Sequence, residues 1–263
     1  MLFRSGCAFG SGQGVQKDSV AAKQWIHKAA LQNHIEACLS LGSMFVAGEG
    51  GEKDFAEANE WFRKAAEQNH PEAQLRLALA CFQGHGRPAD DPQGLIWLKR
   101  SAQAGWPAAE YLLASYYSRG THGLPQDRKE SLKWIQCSAE HGYAHAQYYV
   151  GNCYLYGQGL PRNMLEAARW FRRAAEQGHA EAQNSIGYAC ETGDAGYTNL
   201  VEAYVWYQLA VRQGESRSNV NLQGLLPRLS SEQLSEGSRR LAEFIRQPAH
   251  PLDGLSITSK FSD

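Results

Sequence analysis

Tryptophan recurs along this chain at an almost constant interval, and that interval limits the folds open to it. Six of the seven tryptophans follow one another at steps of 36, 36, 37, 36 and 36 residues. They are Trp25, Trp61, Trp97, Trp134, Trp170 and Trp206. A fixed period of roughly 20–50 residues is typical of repeat architectures, in which each unit packs mainly on its neighbours. The interval therefore predicts a stack of repeated units rather than one globular core.

The residues around each tryptophan predict the first helix of the unit, helix A. An Asp or Asn lies seven residues before each tryptophan, or six in the third unit, and such side chains accept hydrogen bonds from the free amides of a first helical turn. The predicted caps are Asp18, Asp54, Asp91, Asp127, Asn163 and Asn199. Small residues three before and four after each tryptophan, with an apolar residue directly after it, share one helical face. We therefore expect tryptophan and small residues to form the packing face of helix A.

A second helix, helix B, is predicted between successive A helices. Each helix A ends at a residue that tolerates the left-handed backbone of a helix C-cap, namely Asn33, Asn69, Gly105, Gly142 or Gly178. One position inside helix B is occupied by Gly42, Ala78, Ala114, Gly151 and Gly187. Glycine inside a helix is unfavourable by roughly 1 kcal/mol relative to alanine, so its recurrence predicts a backbone-to-backbone crossing there.

The repeats predict how the chain is divided. The predicted segments are a half repeat at 1–17, full repeats at 18–53, 54–90, 91–126, 127–162 and 163–198, and a final helix with a C-terminal cap at 199–245. The last unit is expected to break off near Gly214. Ser230 and Gln233 form a predicted capping box that opens a helix ending near Phe244. Residues 246–263 predict a flexible tail.

The repeated unit resembles the Sel1-like repeat, a branch of the TPR-like superfamily. The stretch Asn163-Met-Leu-Glu-Ala-Ala-Arg-Trp-Phe-Arg-Arg-Ala-Ala-Glu-Gln-Gly-His-Ala-Glu-Ala-Gln is close to the typical unit, and the resemblance covers residues 1–245. It implies an all-α fold, an α/α superhelix that is a right-handed solenoid of about five and a half helix-turn-helix repeats. It also implies an adaptor or scaffold that holds a partner protein, as similar bacterial proteins do in signalling, envelope assembly and secretion.

Composition and motifs offer no support for an enzyme or a cofactor. The 26 basic and 27 acidic residues leave a net charge of -1, so a general attraction to nucleic acid or anionic membrane is not expected, and no apolar run is long enough for membrane insertion. The motifs Gly-x-Ser-x-Gly and Ser-x-x-Lys are missing. One turn carries His34, His70, Trp106, Tyr143 and His179 in successive repeats, too far apart to share a metal ion. We expect no enzyme, and the alternative is a hydrolase of β-lactam or cell-wall type.

Candidate binding residues lie at positions that vary between the packing positions, because stacked helical hairpins expose an extended concave surface. The row two residues after tryptophan has no acidic member and comprises His27, Arg63, Lys99, Gln136, Arg172 and Gln208. Lys133 and Arg169 lie one residue before tryptophan. Such rows suit an acidic or carboxylate-bearing peptide, while an ordinary solvated face explains them equally well. On other positions, Tyr149 and Trp106 are predicted contacts because aromatic residues are enriched in interface hot spots.

The partner and its location are only broadly predicted. We expect a protein or peptide partner of unknown identity and no nucleic acid, while the open half repeat at 1–17 also suggests self-association as a homodimer. The six cysteines include no Cys-x-x-Cys pair and favour a reducing compartment. The first residues lack the apolar stretch of a signal peptide. A cytoplasmic location is therefore predicted, or a periplasmic one if an N-terminal signal has been removed.

Overall fold

The computed structural model describes residues 1–246, and of the tail predicted at 246–263 all but Arg246 lies outside the described residues. In the described part the chain forms fourteen α-helices and one short 3-10 helix, without a strand. The all-α, tandem helix-pair architecture predicted from the repeat is confirmed. Two compact units, Met1–Asp127 and Arg128–Asp263, make up the chain and are termed the N-terminal and C-terminal units.

The N-terminal unit is a tandem stack in which helices of type B and type A alternate. Its helices are α1 (Leu2–Ser11), α2 (Ser19–Ala30), α3 (Ile35–Ala47), α4 (Phe55–Glu67), α5 (Pro71–Gln83), α6 (Asp91–Gln103) and α7 (Pro107–Arg119). The A helices are α2, α4 and α6. Each helix packs on the next, and the contact is most extensive where a helix B meets the helix A that follows it, as for α3 on α4.

The C-terminal unit repeats this arrangement and adds a terminal helix. Its elements are α8 (Arg128–Glu140), α9 (Ala144–Tyr156), α10 (Met164–Glu176), α11 (Ala180–Thr192), α12 (Leu200–Arg212), α13 (Ser216–Leu225), the 3-10 helix (Leu226–Arg228) and α14 (Ser231–Arg246). The A helices are α8, α10 and α12. After Gly214 the chain forms α13, a short helix that was not predicted and that takes the place of a helix B. The Glu215 carboxylate caps α13 by accepting a hydrogen bond from the Ser218 amide at 2.6 Å.

Four of the A helices begin at the predicted side-chain caps, while Asp127, the cap predicted for α8, stays a prediction. The Asp18 carboxylate accepts hydrogen bonds from two amides of α2 at 2.9 Å each, and the same capping is made by Asp54, Asn163 and Asn199. In the third repeat the cap is Asp90, which accepts from the Gln93 amide at 3.0 Å, and not the predicted Asp91. Asp90 lies seven residues before Trp97, so the capping offset is the same here as in the other repeats.

The predicted left-handed turns at the ends of the A helices are confirmed. Asn33 and Asn69 have φ values of 58° and 64°, and the glycines at the same position are also positive in φ. A backbone of this kind is strained for most side chains but is tolerated by Asn and Gly. The helix A to helix B turn is therefore set locally by one residue.

The glycines inside the B helices make room for an aromatic ring rather than for a crossing backbone. A Cβ atom on Gly42 would lie 2.5 Å from the ring of Phe62 on the next helix A. The same close approach joins Gly151 to Phe171 and Gly187 to Tyr207. Where alanine takes this position, as at Ala78, the residue at the same offset is the smaller Leu98. The predicted backbone crossing is therefore wrong at these positions, and the ring of the next helix A explains the glycine.

A row of buried glutamines ties each helix B to the helix A before it. Their side-chain amides donate to backbone carbonyls of the preceding helix at 3.1–3.2 Å: Gln74 to Ala66, Gln147 to Ala139, and Gln183 to Ala175. In the C-terminal unit the glutamine oxygens accept a further bond, from Gln177 to Gln147 at 2.7 Å and from Gln213 to Gln183 at 2.8 Å. The Gln74 oxygen has no partner, because the residue at the position of Gln177 is Ala104.

The predicted capping box at the start of the last helix is confirmed. The Ser230 amide donates to the Gln233 side-chain oxygen at 2.9 Å, and the Gln233 amide donates to the Ser230 hydroxyl at 3.2 Å. The helix that it opens, α14, packs against α12. This closing helix is therefore specified both by local capping and by burial.

Two further properties of the described residues concern membrane-spanning helices and the cysteines. Among residues 1–246, no helix combines the length and apolar character needed to cross a bilayer. All six cysteines lie in this part of the chain without a disulfide, and Cys38, Cys81, Cys153 and Cys190 are buried. Burial raises the pKa of Cys153 to about 11 and that of Cys190 to about 12, so these thiols stay protonated near neutral pH.

Candidate functional site

The basic residues three positions after tryptophan lie over the tryptophan rings of the A helices. The distances from cation to ring centroid are 4.8 Å for Lys28 on Trp25, 3.8 Å for Lys64 on Trp61, 4.9 Å for Arg100 on Trp97 and 4.7 Å for Arg173 on Trp170. A cation is attracted to an aromatic face within about 6 Å. This row was not predicted, although its constant offset from tryptophan was a signal available in the sequence.

In the N-terminal unit this row joins the predicted row to form pairs of basic residues on three A helices. These six residues are termed the basic stripe: His27, Lys28, Arg63, Lys64, Lys99 and Arg100. The side chains of Lys28, Lys64 and Arg100 are exposed and form no ion pair with a carboxylate in residues 1–246. The ring of His27 meets Trp61 edge-on at 5.4 Å, so the stripe continues from α2 to α4.

The acidic residues near the basic stripe are concentrated on its middle helix. Helix α2 has none, and α6 has only Asp91 at its first position. Helix α4 carries Glu57, Glu60 and Glu67, and Arg63 pairs with Glu60 at 3.2 Å. Helices α2 and α6 are therefore positively charged along the stripe, whereas α4 carries both positive and negative charges.

Arg172, a predicted binding residue of the C-terminal unit, lies in an internal polar network. Its guanidinium donates to the Glu202 carboxylate and, at 3.2 Å, to the Tyr197 hydroxyl. Glu202 also accepts from the Tyr197 hydroxyl at 3.0 Å and from the Trp206 indole at 3.3 Å. Burial acts to raise the pKa of Glu202, but the hydrogen bond and charge of Arg172 outweigh it and hold that pKa below its usual range. The positive charge of Arg172 is therefore already matched inside the protein.

The other predicted basic residues of the C-terminal unit pair along their own helices. Lys133 lies 3.5 Å from Glu130, and Arg169 lies 2.5 Å from Glu166. Exposed ion pairs of this kind contribute little to stability. The predicted row continues with Gln136, which is uncharged and half-buried. The C-terminal unit therefore has no counterpart of the basic stripe.

The two predicted aromatic contacts lie outside the basic rows. Tyr149 is on a helix B, α9, and 43% of its surface is exposed. Two further exposed tyrosines, Tyr156 and Tyr188, lie on α9 and α11 and were not predicted. Trp106 is half-buried at the start of α7, and its indole N–H is buried without a hydrogen-bond partner. These positions stay predictions for a binding surface.

The histidine row serves as a set of helix caps. The Nδ1 atoms of these residues accept amide hydrogen bonds at 3.3–3.4 Å: His34 from Ala37, His70 from Ala73, and His179 from Ala182. The other ring nitrogen of His179 lies 3.0 Å from His145. Burial and the neighbouring His145 lower the pKa of His179 to about 4. Within residues 1–246, no three His, Cys, Asp or Glu side chains converge in a manner that suits a metal ion.

Comparison with protein families identifies the repeat. The model of the Sel1 repeat matches residues 1–34, 35–70, 71–106, 107–143, 144–179 and 180–215. Each matched unit runs from a helix B to the end of the next helix A. The segment predicted as a half repeat at 1–17 is thus the first part of a complete unit, and the family model counts six units where about five and a half were predicted.

Solved structures share this architecture. A Sel1 repeat protein from Oxalobacter formigenes has a TM-score of 0.79 at 32% identity, over 85% of this chain and 64% of that chain. The protective antigen c5321 of uropathogenic Escherichia coli, which has an SLR fold, has a TM-score of 0.55 at 25% identity, over 94% of this chain and 61% of that chain. The immunity protein Pa5087 of Pseudomonas aeruginosa has a TM-score of 0.54 at 19% identity, over 97% of this chain and 90% of that chain, and shares the fold only.

The chain covers only part of the length of the proteins that it resembles, and the match shows its family. This chain spans less than two-thirds of the length of the first two proteins, at 64% and 61%. No curated protein matches the chain. The six repeat units and the likeness to the Oxalobacter protein show that the chain belongs to the Sel1 repeat family, whose members are generally protein-interaction modules.

Proposed function

We propose that this chain is a non-enzymatic adaptor that binds an acidic segment of a partner protein along the basic stripe of its N-terminal unit. The observation that supports this is the set of exposed cations Lys28, Lys64 and Arg100, each held over a tryptophan and none paired with a carboxylate. A role in bacterial signalling or the cell envelope, and a cytoplasmic location, stay predictions.

The spacing of the stripe favours an extended peptide. Helices that pack side by side are about 8–10 Å apart, so cations at the same position on successive A helices are separated by a similar distance. A polyproline II chain advances by about 3.1 Å per residue with three residues per turn, so its side chains three residues apart lie on one face and about 9 Å apart. A segment with Asp or Glu at every third position would therefore place one carboxylate near each cation.

Binding of a partner requires several of these ion pairs to form together. One exposed ion pair contributes about 0–1 kcal/mol, so no single residue of the stripe would hold a partner. The tryptophan rings restrict the cations above them and add apolar surface beside the carboxylates. We expect a weak affinity, of about 0.1–1 mM, that weakens further as salt is added, because the contacts are exposed and electrostatic.

The test compares one acidic peptide with two sets of charge reversals. The probe is a fluorescent twelve-residue peptide with Asp at every third position, and its partner probe has Asn at those positions. The variant Lys64→Glu/Arg100→Glu should weaken binding of the Asp peptide at least tenfold. The matched control is Arg173→Glu, since Arg173 holds the same repeat position over Trp170 in the C-terminal unit. It should change the affinity less than twofold.

Three outcomes would contradict the proposal. Equal binding of the Asp and Asn peptides would exclude charge recognition. An equal loss in Lys64→Glu/Arg100→Glu and in Arg173→Glu would place the contact outside the N-terminal stripe. Binding that does not weaken between 50 and 300 mM salt would exclude exposed ion pairs as its source.

A further inference from the structure

A groove runs between the last helix A and the closing helix of the C-terminal unit. One face of α12 and one face of α14 line it, and it is open to solvent with a volume of about 520 Å³. Pockets of about 300–1,000 Å³ are typical of sites for small ligands and short chain segments. The lining positions on each helix span nine residues, so eight steps of about 1.5 Å give a groove about 12 Å long.

The close approach of the two helices determines the direction of the groove. A Cβ atom on Gly237 of α14 would lie 2.6 Å from the ring of Tyr204 on α12. Further along both helices, the rings of Trp206 and Phe244 meet edge-on at 5.5 Å. Since these contacts follow the same order on both helices, α12 and α14 run parallel. Their C-terminal ends therefore lie at the same end of the groove.

The base of the groove is apolar. Tyr204 and Leu241 line it from the two helices, and only 8% and 7% of their surfaces are exposed. Ile245 forms part of the wall and stays 47% exposed, although it is a large aliphatic side chain. An apolar side chain entering the groove would cover this surface and be favoured by the hydrophobic effect.

The charge of the groove is positive and lies at one end. Arg212 and Arg246 line the groove at the C-terminal ends of α12 and α14, and no acidic residue lines it. Both arginines are exposed, and neither forms an ion pair in the described part of the chain. By contrast, Arg239 on α14 pairs with Glu236 at 2.8 Å and with Glu243 at 2.5 Å. The unpaired arginines are thus the ones that face the groove.

We propose that this groove binds the C-terminal end of a partner polypeptide whose last residue is aliphatic. The terminal carboxylate lies between Arg212 and Arg246, the last side chain covers Ile245 and Leu241, and the residues before it extend towards Tyr204. A chain terminus carries an apolar side chain and a carboxylate on one residue, which matches an apolar groove that ends in two arginines. About three to four extended residues fill a length of 12 Å. This site is independent of the basic stripe in its unit and in its ligand.

The experiment measures binding of one peptide in two chemical forms to the full chain. The probe is a fluorescent hexapeptide that ends in two leucines with a free carboxylate, and the second form has an amidated end. The acid form should bind with an affinity of about 10–100 μM, and amidation should weaken it at least tenfold. Arg212→Gln and Arg246→Gln should each weaken the acid form about three- to tenfold.

The control and the alternative occupants make the result decisive. Arg239→Gln changes an arginine of α14 that is paired outside the groove, and it should bind the acid form as the unchanged chain does. Equal binding of the acid and amide forms, or an equal loss in Arg239→Gln, would overturn the proposal. Binding of decanoate without binding of the peptide would also overturn it in favour of a fatty acid. Tighter peptide binding by a Leu252→Ser/Asp253→Asn variant would assign the groove to the chain's own 247–263 instead.

Discussion

The same repeat position behaves differently in the two units, as Arg63 and Arg172 illustrate. Both follow their tryptophan by two residues, yet Arg172 binds Glu202 of the next helix A, whereas Arg63 pairs only with Glu60 of its own helix. The residue thirty positions after Arg63 is Gln93, at the place that Glu202 occupies after Arg172. The position in the repeat therefore determines which way the side chain points. The next repeat determines whether a carboxylate of the neighbouring helix A binds it.

The glutamine row differs between the units in the same way. Gln147 and Gln183 of the C-terminal unit receive a hydrogen bond from the glutamine thirty positions later, and Gln74 of the N-terminal unit does not. A buried acceptor without a partner is unfavourable, because it has lost water without a replacement. The glutamine row and Arg172 of the C-terminal unit are thus paired internally, while the N-terminal unit keeps unpaired polar groups both in its core and on its basic stripe.

Substitution of Arg172 and of Arg63 should give the largest difference in stability between the two units. Arg172→Met should lower the free energy of unfolding by about 2–3 kcal/mol, because it leaves the half-buried Glu202 carboxylate without its cation. Arg63→Met should change it by less than about 0.5 kcal/mol, since its pair with Glu60 is exposed. Urea denaturation followed by circular dichroism measures both values. Equal effects of the two substitutions would show that the Arg172 network is as weak as an exposed pair.

The facing histidines should make the C-terminal unit sensitive to acid. His179 faces His145, whereas the equivalent His70 of the N-terminal unit faces Glu36 at 3.4 Å. Because the pKa of His179 is lowered from 6.5 to about 4, the unfolded chain takes up this proton first as the pH falls. The contribution is complete above about pH 6.5 and should decline towards pH 4, by about 1–2 kcal/mol between pH 6.5 and 5.

The substitution His179→Asn isolates this contribution. Asn is a good N-cap, so α11 should keep its start while the titrating ring is lost. The difference in unfolding free energy between pH 7.5 and pH 5 should become smaller than in the unchanged chain, as followed by urea denaturation at each pH. A difference of the same size in both proteins would mean that another group causes the acid sensitivity.

Completing the glutamine row should give the smallest effect. Ala104→Gln should stabilise the N-terminal unit by about 0.5–1 kcal/mol, because it supplies the Gln74 oxygen with a donor. The backbone at Ala104 has φ -78° and ψ 4°, close to φ -87° and ψ 7° at Gln177, so the new side chain starts from the same conformation. The reverse change, Gln177→Ala, should destabilise the C-terminal unit by a similar amount. Thermal unfolding measures both, and a loss of stability in Ala104→Gln would contradict the argument.

Features that depend on one helix and its nearest residues were predictable from the sequence. The tryptophan period, the caps such as Asp18 and the left-handed turns such as Asn33 all act within a few residues of the backbone that they shape. The errors arose where two neighbouring residues compete, as Asp90 and Asp91 do for one cap. They also arose where the repeat is altered, as at α13. Local signals alone do not resolve such cases.

Features that depend on a neighbouring helix were not predictable with the same success. The ring that faces Gly42 comes from Phe62, and the carboxylate that binds Arg172 comes from Glu202. The pairs of cation and tryptophan were predictable in principle, since both members lie three residues apart on one helix. The groove between α12 and α14 was not, because its two walls are separated by α13 in the sequence.

The sequence by itself determined the repeat, the helix ends and the rows of residues that share a face. These follow from a constant period and from backbone preferences, which act locally and identically in every copy. Only the tertiary structure decided which charges are paired and where a groove opens. These outcomes depend on the distance between side chains thirty or more residues apart, and hydrogen bonds and ion pairs are lost within a few ångströms.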